Sequence, residues 1–176
     1  TLGLIGLGKL GKEVAIRAKA FGMKIISFDP LVAAEAVSDL DIQLVSLDEI
    51  WKNADVISVH TPLNDRTKYL VSYNELTKCK TGVVIINCAR GGIVNERDLL
   101  QALKDGKVSA AGLDVFEEEP PDFSLGLIQH PAVVSTPHLG ASTEEAQQKV
   151  AVQIAEQMVE YFSNGFTAGA VNASAI

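Results

Sequence analysis

Short apolar runs alternate with stretches of helical periodicity along almost the whole chain. The runs have the length and β-branched content of buried strands, and strands that are apolar on both faces are typical of parallel sheets. The alternation therefore predicts an α/β fold, a doubly wound parallel sheet of the Rossmann type with three α/β/α layers. The predicted strands are Leu2–Ile5, Lys24–Phe28, Ile42–Val45, Asp55–Val59, Val83–Asn87, Ala110–Val115 and Ala132–Ser135. The predicted helices are Gly8–Phe21, Leu47–Lys52, Tyr73–Thr77, Asn95–Asp105 and Ser142–Ser163.

The composition indicates a globular protein and disfavours several classes of function. The 176 residues suffice for one domain with a substantial core, which we expect to span residues 1–176. The formal net charge is −7 and no run of Lys or Arg occurs, so we expect no nucleic-acid surface. No apolar stretch is long enough to cross a bilayer, and no signal-peptide pattern is recognisable. The two cysteines, Cys79 and Cys88, are too few for a disulfide framework or a zinc site, so we expect a cytoplasmic protein without metal.

The first strand is followed directly by a glycine pattern that is typical of dinucleotide-binding proteins. Gly6, Gly8 and Gly11 form G-x-G-x-x-G between a predicted strand and a predicted helix. In this motif the first glycine permits the turn, the second lets a pyrophosphate approach the backbone, and the third lets the helix pack closely on the strand. The helix N-terminus then binds the diphosphate through its free N–H groups and its dipole. A glycine turn without a ligand is the alternative.

A carboxylate at the end of the second predicted strand indicates which dinucleotide is bound. The stretch KIISFD ends in Asp29, about 20 residues beyond the glycine motif. A carboxylate at this position accepts hydrogen bonds from the ribose hydroxyls and repels a 2′-phosphate. No arginine adjoins Asp29 in the sequence, so we expect NAD rather than NADP.

Charged or titratable side chains follow three further predicted strands. Arg90 supplies a guanidinium, Asp114 and Glu119 supply carboxylates, and His138 supplies an imidazole. In sheets of this type ligands bind outside the carboxyl ends of the strands. Oxidation of a hydroxy acid beside NAD needs a base for the hydroxyl proton and a cation that holds the carboxylate. Histidine suits the base because its ring changes charge near neutral pH, and arginine suits the cation because its fork binds a carboxylate through two hydrogen bonds.

Each of these residues also has a purely structural interpretation. An arginine at a strand end is commonly part of a surface ion pair, and a histidine that follows proline is commonly a loop residue. Glu119 belongs to an acidic run, Glu117–Glu119, that on its own is typical of a solvated face. We interpret His60 and His130 as structural. Spacing and charge alone therefore leave the catalytic interpretation open.

Several stretches, which occur one after another along the chain, resemble a known family, the NAD-dependent D-isomer-specific 2-hydroxyacid dehydrogenases. They are GLGKLGKEVA, VHTPL, NCARGGIV, AGLDVFEEEPP and TPHLGAST. The longer stretches NCARGGIVNE and HLGASTEEAQ and the ending GAVNASAI most resemble family members that oxidise D-3-phosphoglycerate to 3-phosphohydroxypyruvate, the first step of L-serine biosynthesis. The resemblance covers nearly the whole chain and implies an enzyme with D-3-phosphoglycerate as its small-molecule substrate.

The resemblance also implies a role for individual residues. Arg90 would bind substrate and assist catalysis, and His138 would be the general acid and base. The glutamate of the family lies five residues beyond the aspartate of LDVF, which selects Glu119; formate dehydrogenases carry glutamine there, so Glu119 disfavours that activity. The implied NAD contacts are Gly6, Gly8, Lys9, Leu10, Gly11, Asp29, Thr61, Cys88, Ala89, Arg90, Asp114, His138, Leu139, Gly140 and Ala141.

Members of the family carry a separate substrate domain, built mostly from residues before the glycine loop, and nothing in this chain corresponds to it. The chain enters its first predicted strand at Thr1–Leu2, without a preceding cap, loop or methionine. We therefore expect a fragment: the NAD-binding domain, with all three catalytic side chains and half of the cleft.

The assembly and the exact activity have alternatives at this point. An apolar stripe, Val150, Ile154, Met158 and Phe162, recurs every four residues in the last predicted helix, and is core or subunit-contact surface rather than a ligand site. With the resemblance, which implies dimers through this domain, it predicts a homodimer. The alternatives in function are another D-2-hydroxyacid dehydrogenase, of the glyoxylate or hydroxypyruvate reductase type, and a non-enzymatic NAD-binding module like the C-terminal-binding-protein corepressors.

Overall fold

A computed structural model describes residues 1–33, 35, 37, 40–167 and 170, which fall into two compact units, Thr1–His138 and Leu139–Ile176. The strands are β1 (Leu2–Ile5), β2 (Ile25–Phe28), β3 (Gln43–Leu44), β4 (Val56–Val59), β5 (Val83–Asn87), β6 (Val108–Leu113) and β7 (Val133–Ser135). The helices are α1 (Lys9–Ala20), α2 (Leu47–Asn53), α3 (Tyr73–Lys78), α4 (Glu96–Lys104) and α5 (Glu144–Asn164). Of the ending GAVNASAI, only Ala170 lies among the described residues.

The first unit contains a parallel sheet of seven strands in the order β3-β2-β1-β4-β5-β6-β7. The chain starts in the middle of the sheet, winds to one edge through β2 and β3, and returns to build the other half. This is the predicted doubly wound α/β fold, which is confirmed. The predicted order of strands and helices is also confirmed, and the bounds of each element differ by only a few residues.

Alternating side chains of β1 face two separate cores. Leu2 and Leu4 are buried together with Ala15 of α1. On the opposite face, a Cβ built on Gly3 would lie only 3.0 Å from Ile50 Cγ2, so α2 packs directly on the strand backbone. Helices α1 and α2 therefore cover opposite faces of the sheet, as the periodicity predicts.

The larger core lies beneath α2, α3 and α4. Trp51, Leu76 and Leu99 are buried in it, each from a different one of these helices. Burial decreases toward the last strand, where the Val134 side chain is 73% exposed. The centre of the sheet is therefore the most deeply buried part of this unit.

Register aligns the carboxyl ends of six strands. The residues paired across the sheet in one row are Phe28, Ile5, Val59, Asn87, Leu113 and Ser135. The residues that follow this row begin the loops that the sequence singles out: the glycine loop and the stretches that contain Asp29, Thr61, Arg90, Asp114 and His138. The fold thus delivers the candidate residues of this unit to a single edge of the sheet.

The second unit consists mainly of α5. The sequence predicts a helix that begins at Ser142, but α5 begins at Glu144: Thr143 is the N-cap, and its hydroxyl accepts a hydrogen bond from Ala146 N. Ser142 and Thr143 are both hydroxyl-bearing, and the extended backbone of Thr143 (φ −75°, ψ 150°) decides where the helix begins. No residue of α5 is buried, and the predicted apolar stripe is exposed, with Phe162 at 81%.

Two general expectations concern membranes and metals. Among the described residues, no helix combines the length and apolar character that crossing a membrane requires. Within that same part of the chain, no cluster of three or more His, Cys, Asp or Glu side chains is arranged to hold a metal ion. Both cysteines are free thiols; Cys79 is buried and Cys88 is exposed.

Candidate active site

The glycine loop connects β1 to α1 through very close backbone approaches. Gly6 has φ +98°, a conformation that side chains rarely adopt. A Cβ on Gly11 would lie 2.3 Å from Gly6 O, so only glycine allows the helix to start this close to the strand. A Cβ on Gly8 would meet nothing within 4 Å, so space above the backbone is open at this residue. The three glycines thus serve the turn, the open approach and the close packing.

The N-terminus of α1 is left without a capping side chain. The N-cap is Gly8, no acidic residue lies in the first turn, and the first helical bond runs from Lys12 N to Gly8 O. The amides of Lys9, Leu10 and Gly11 have no partner within the helix. These amides and the positive end of the helix dipole form a site that favours an anion.

Asp29 lies beside the glycine loop and orders it. Its Oδ2 accepts a hydrogen bond from Leu7 N at 2.7 Å, and its Oδ1 accepts one from Leu31 N at 2.9 Å. A carboxylate has about four acceptor positions, so the two oxygens retain capacity for further donors such as ribose hydroxyls. The role of Asp29 in building the loop was not predicted from the sequence.

Thr61 provides the most direct indication of a missing partner. Its Oγ1 is the buried side-chain oxygen that makes no hydrogen bond within the described part of the chain. The side chain adjoins the loop, because a Cβ on Gly6 would lie 3.1 Å from Thr61 Cγ2. A buried hydroxyl without a partner is costly, by about 1–3 kcal/mol. The open approach at Gly8 and this hydroxyl together fit a polar dinucleotide bound across the loop.

His60, next to Thr61, makes a local contact that agrees with the structural interpretation. Its Nε2 is 2.9 Å from Ser58 Oγ, and partial burial lowers the pKa of the ring. The backbone of His60 also supports the loop, since His60 N donates to Ile5 O at 2.7 Å. His130 has a comparable local role, because its Nδ1 accepts a hydrogen bond from Ala132 N.

The turn that carries Arg90 is held by Asn87, the last residue of β5. Asn87 is 2% exposed; its Nδ2 donates to Arg90 O at 3.0 Å, and its Oδ1 accepts from Ala89 N at 3.1 Å. The guanidinium of Arg90 is exposed, and Nη1 donates only to Ala89 O, its own neighbour. Arg90 makes no ion pair with any described residue, so its charge is available to an anionic ligand.

Glu119 and His138 are in direct contact. Nδ1–H of His138 donates to Glu119 Oε2 at 2.7 Å, and Phe116 N donates to Glu119 Oε1 at 3.2 Å. These two bonds, that from His138 first, hold the pKa of Glu119 below its ordinary value. Because the carboxylate engages Nδ1, the proton is fixed there and Nε2 is the nitrogen left to exchange a proton with a ligand.

Asp114, the residue after β6, is buried and makes hydrogen bonds at the ends of both neighbouring strands, β5 and β7. Its backbone N–H donates to Asn87 O at 3.0 Å, and its Oδ1 accepts a short hydrogen bond from the Thr136 hydroxyl. Cys88 is close by: partial burial, and then the negative charge of Asp114, raise the pKa of its thiol. Asn87 and Thr136 were not predicted as site residues, although each is a polar residue at the end of an apolar run, which is a usable signal.

A cavity of about 510 Å³ borders the Glu119–His138 pair. Its walls are mainly apolar, from Phe116, Pro120, Pro121, Phe123, Ile128, Ser135, Thr136 and Pro137. The cavity therefore offers an apolar wall directly beside the acid–base pair.

The last three residues predicted to contact NAD belong to the second unit. There Ser142 N donates to Leu139 O at 2.5 Å, and Gln147 Nε2 donates to Ala141 O at 2.7 Å. Gly140 has φ +34°. The short segment is thus a turn that leads into α5.

The structure brings two of the three predicted catalytic residues into contact and places the third at the end of an adjacent strand. Glu119 and His138 pair directly, and Arg90 follows β5, which neighbours β6. The glycine loop opens at the same edge. A fixed cation, an acid–base pair and an anion-binding helix end at one edge suit hydride transfer to or from a small carboxylic acid.

Comparison with known proteins assigns the chain to a family. Residues 1–140 match the family described as D-isomer specific 2-hydroxyacid dehydrogenase, NAD binding domain. The D-3-phosphoglycerate dehydrogenase of Homo sapiens is 48% identical over 176 residues, and that of Bacillus subtilis is 46% identical over 176 residues. These matches cover 100% of this chain and 33% of each relative, so the chain spans about a third of their length.

Other members of the same family are also similar. A hydroxypyruvate reductase of Thermotoga maritima is 48% identical over 160 residues, which is 90% of this chain and 51% of the relative. Among solved structures, the NAD complex of a D-isomer specific 2-hydroxyacid dehydrogenase from Lactobacillus delbrueckii ssp. bulgaricus has a TM-score of 0.89 at 30% identity, and covers 97% of this chain and 56% of its own. The fold, the site and these relatives agree: this chain belongs to the D-isomer specific 2-hydroxyacid dehydrogenases and comprises their NAD-binding domain.

Proposed function

We propose that this chain is the NAD-binding part of a D-3-phosphoglycerate dehydrogenase, which oxidises D-3-phosphoglycerate to 3-phosphohydroxypyruvate. The observation that carries the proposal is the 2.7 Å contact of Glu119 with His138, one strand end away from the unpaired guanidinium of Arg90. The choice of this substrate rests on the relatives of that name, which are 44–48% identical to the chain.

The residues divide the reaction between them. Arg90 binds the substrate carboxylate through two hydrogen bonds and thereby orients the adjacent hydroxyl. In the direction of oxidation, Nε2 of His138 accepts the hydroxyl proton. Glu119 stabilises the imidazolium that results and keeps the ring in the required tautomer. Bound NAD supplies the hydride acceptor.

The cofactor contacts follow from the loop geometry. The amides at the start of α1, at Lys9 and Leu10, bind the diphosphate over Gly8, where no side chain intervenes. Asp29 binds the adenosine ribose, and Thr61 Oγ1 gains the partner that it lacks. The family resemblance adds Cys88, Ala89, Arg90, Asp114, His138, Leu139, Gly140 and Ala141 to these contacts.

Cofactor choice is tested by titrating the chain with NAD and NADP in a calorimeter. We expect NAD to bind much more tightly, because Asp29 repels a 2′-phosphate. Asp29→Ala should weaken NAD binding and reduce the difference between the two cofactors. Equal affinities in the unaltered chain would contradict the proposal.

The substrate is tested by assaying the full-length protein with NAD and a panel of D-2-hydroxy acids. D-3-phosphoglycerate should give the highest kcat/KM. The similarity to hydroxypyruvate reductase supports a second candidate, and preference for glycerate or glycolate would establish it. NAD binding without turnover of any acid would instead favour a corepressor-like module.

Turnover should require more than this chain. Positioning of a substrate against its reaction partner contributes up to about 7–11 kcal/mol, and closure of a second domain commonly excludes water. We propose that the chain is one domain, residues 1–176, without the substrate domain. It should fold, bind NAD with micromolar-range affinity and oxidise D-3-phosphoglycerate hardly at all. Turnover near that of the full-length protein would contradict this.

Assembly and location complete the proposal. The exposed stripe on α5, with Ile154 at 49% and Met158 at 58% exposed, supports a homodimer. A monomeric mass by sedimentation at high micromolar concentration would contradict it.

The free thiols of Cys79 and Cys88 suit a reducing compartment, and we propose the cytoplasm.

A further inference from the structure

The side chain of Glu117 joins three loops at the carboxyl edge of the sheet. Its Oε1 accepts a hydrogen bond from Glu96 N at 3.0 Å, and its Oε2 accepts one from the Tyr69 hydroxyl at 2.9 Å. In return Glu117 N donates to Glu96 Oε1 at 2.6 Å. Tyr69 follows β4, Glu96 begins α4 after β5, and Glu117 follows β6. We call these three residues the Glu117 clamp.

The clamp connects the loop of Arg90 to the loop of Glu119. The two loops also touch through their backbones, because a Cβ on Gly91 would lie 1.7 Å from Phe116 O. Phe116, the neighbour of Glu117, donates its N–H to Glu119 Oε1. A shift of the backbone at Glu117 would therefore displace Glu119 on one side and the Arg90 turn on the other.

We propose that Glu117 is a positioning residue of the dehydrogenase site: through the clamp it fixes Glu119, and with it His138, relative to Arg90. The inference rests on the proposed function and deepens it. The carboxylate and the hydroxyl of a 2-hydroxy acid lie on adjacent carbons, so Arg90 and His138 must reach them together. A misplacement of about 1 Å between such groups can cost about a hundredfold in rate.

The electrostatics explain how two glutamates form a stable contact. Glu96 is the first residue of α4, where free N–H groups and the helix dipole favour negative charge. Partial burial, and then the charges of Glu117, Asp122 and Glu118, raise the pKa of Glu96. The bond to Glu117 raises the pKa of Tyr69, so its hydroxyl remains a donor at neutral pH. Each of the two carboxylates accepts the backbone N–H of the other glutamate, which offsets the repulsion between their charges.

The same acidic run supplies a matched control. Glu118 is exposed and makes no hydrogen bond or ion pair with the described residues. Glu118→Ala removes the same charge one residue away and leaves the clamp intact. A difference between Glu117→Ala and Glu118→Ala therefore measures the contacts and not the charge.

The first test follows the titration of Glu119 by carbon NMR in chains with labelled glutamate. Hydrogen bonds from His138 and from Phe116 N now keep the pKa of Glu119 low. In Glu117→Ala this pKa should rise toward its ordinary value, and in Glu118→Ala it should stay. In Glu117→Gln the pKa of Glu119 should take an intermediate value, because the amide oxygen of the glutamine still accepts a hydrogen bond from Glu96 N. A purely structural role would lower the melting temperature without moving the titration.

The second test uses steady-state kinetics of the full-length protein. Glu117→Ala should lower kcat and raise KM, with kcat/KM reduced about tenfold or more. Tyr69→Phe removes only the Tyr69–Glu117 bond and should act in the same direction with a smaller effect, which covers the case in which Glu117→Ala does not fold.

The outcomes separate the two proposals. If Glu117→Ala matches Glu118→Ala in both the titration and the kinetics, the positioning role is wrong. If the unaltered full-length protein turns over no hydroxy acid, the proposed function is wrong. A shift of the Glu119 titration in Glu117→Ala would in that case still show that the clamp positions Glu119.

Discussion

The glycine loop is shaped by backbone contacts, whereas the edge formed by Arg90, Glu119 and His138 is shaped by side chains. In the loop, a single added carbon on Gly11 would come within 2.3 Å of the Gly6 carbonyl oxygen. At the edge, His138 and Glu119 have side chains that are 43% and 39% exposed. The loop therefore has no room for a side chain at Gly11, whereas the side chains at the edge can be replaced without a steric clash.

The two regions should therefore differ in how strongly their residues affect stability and catalysis. Loop residues contribute to stability as well as to binding, because β1, α1 and β2 meet there. Edge residues end in solvent, so their replacement should change catalysis with little effect on the fold. Substitutions in the two regions should therefore have separable effects on the free energy of unfolding and on activity.

Gly11→Ala should destabilise the protein most. The new Cβ would clash with a backbone oxygen that cannot move without shifting β1, and overpacking of this kind costs about 3 kcal/mol. Gly8→Ala is the matched control: its Cβ meets nothing, so the free energy of unfolding should change by less than about 1 kcal/mol. Urea unfolding measures both. NAD affinity should nevertheless fall in Gly8→Ala, and retained affinity would show that the diphosphate does not lie over this residue.

His138→Ala in the full-length protein should lower kcat by about 10²–10⁴-fold, the range of general acid–base help. The melting temperature should hardly change, because the side chain is half-exposed. His130→Ala is the control, since His130 makes only a local loop contact. A similar kcat for the two variants would show that His138 is not the general acid and base.

Thr61→Val should separate stability from binding at the border between the two regions. Valine has the same shape and removes a buried hydroxyl without a partner, so the free protein should gain about 1 kcal/mol. NAD should bind more weakly, by roughly 0.5–1.5 kcal/mol for one lost hydrogen bond. Thr77→Val is the control, because Thr77 Oγ1 already donates to Asn74 O at 2.7 Å. Unfolding and calorimetry measure both effects, and unchanged NAD affinity would contradict a role for Oγ1.

The smallest expected effect is the pH dependence of stability at Glu119. Because the pKa of Glu119 is lowered in the folded state, its contribution is present above the unfolded value of about 4.3 and is lost as pH falls through the folded value. Glu119→Gln should therefore reduce the loss of stability as the pH falls below about 4.3. Unfolding in urea at several pH values measures this effect. If the free energy of unfolding depends on pH in the same way in both proteins, the titration of Glu119 does not contribute to stability.

Much of the fold could be predicted because it depends on local patterns. The runs at Leu2–Ile5 and Val83–Asn87 are short and mainly apolar, the second is rich in β-branched residues, and both strands have the predicted bounds. The predicted start of α5, Ser142, is two residues too early, because Ser142 and Thr143 offer the same capping chemistry and only the backbone distinguishes them. Local chemistry thus identifies an element more reliably than its terminal residue.

The order of strands and helices, the family and the glycine loop with Asp29 follow from patterns along short stretches of the sequence. The contacts of each glutamate in the run Glu117–Glu119 depend instead on how the chain packs. Glu119 bonds His138, 19 positions away, and Glu117 bonds Tyr69, 48 positions away. The three residues are chemically identical, and their contacts differ because of where the segments after β4, β5, β6 and β7 meet, which is fixed by the packing of the sheet.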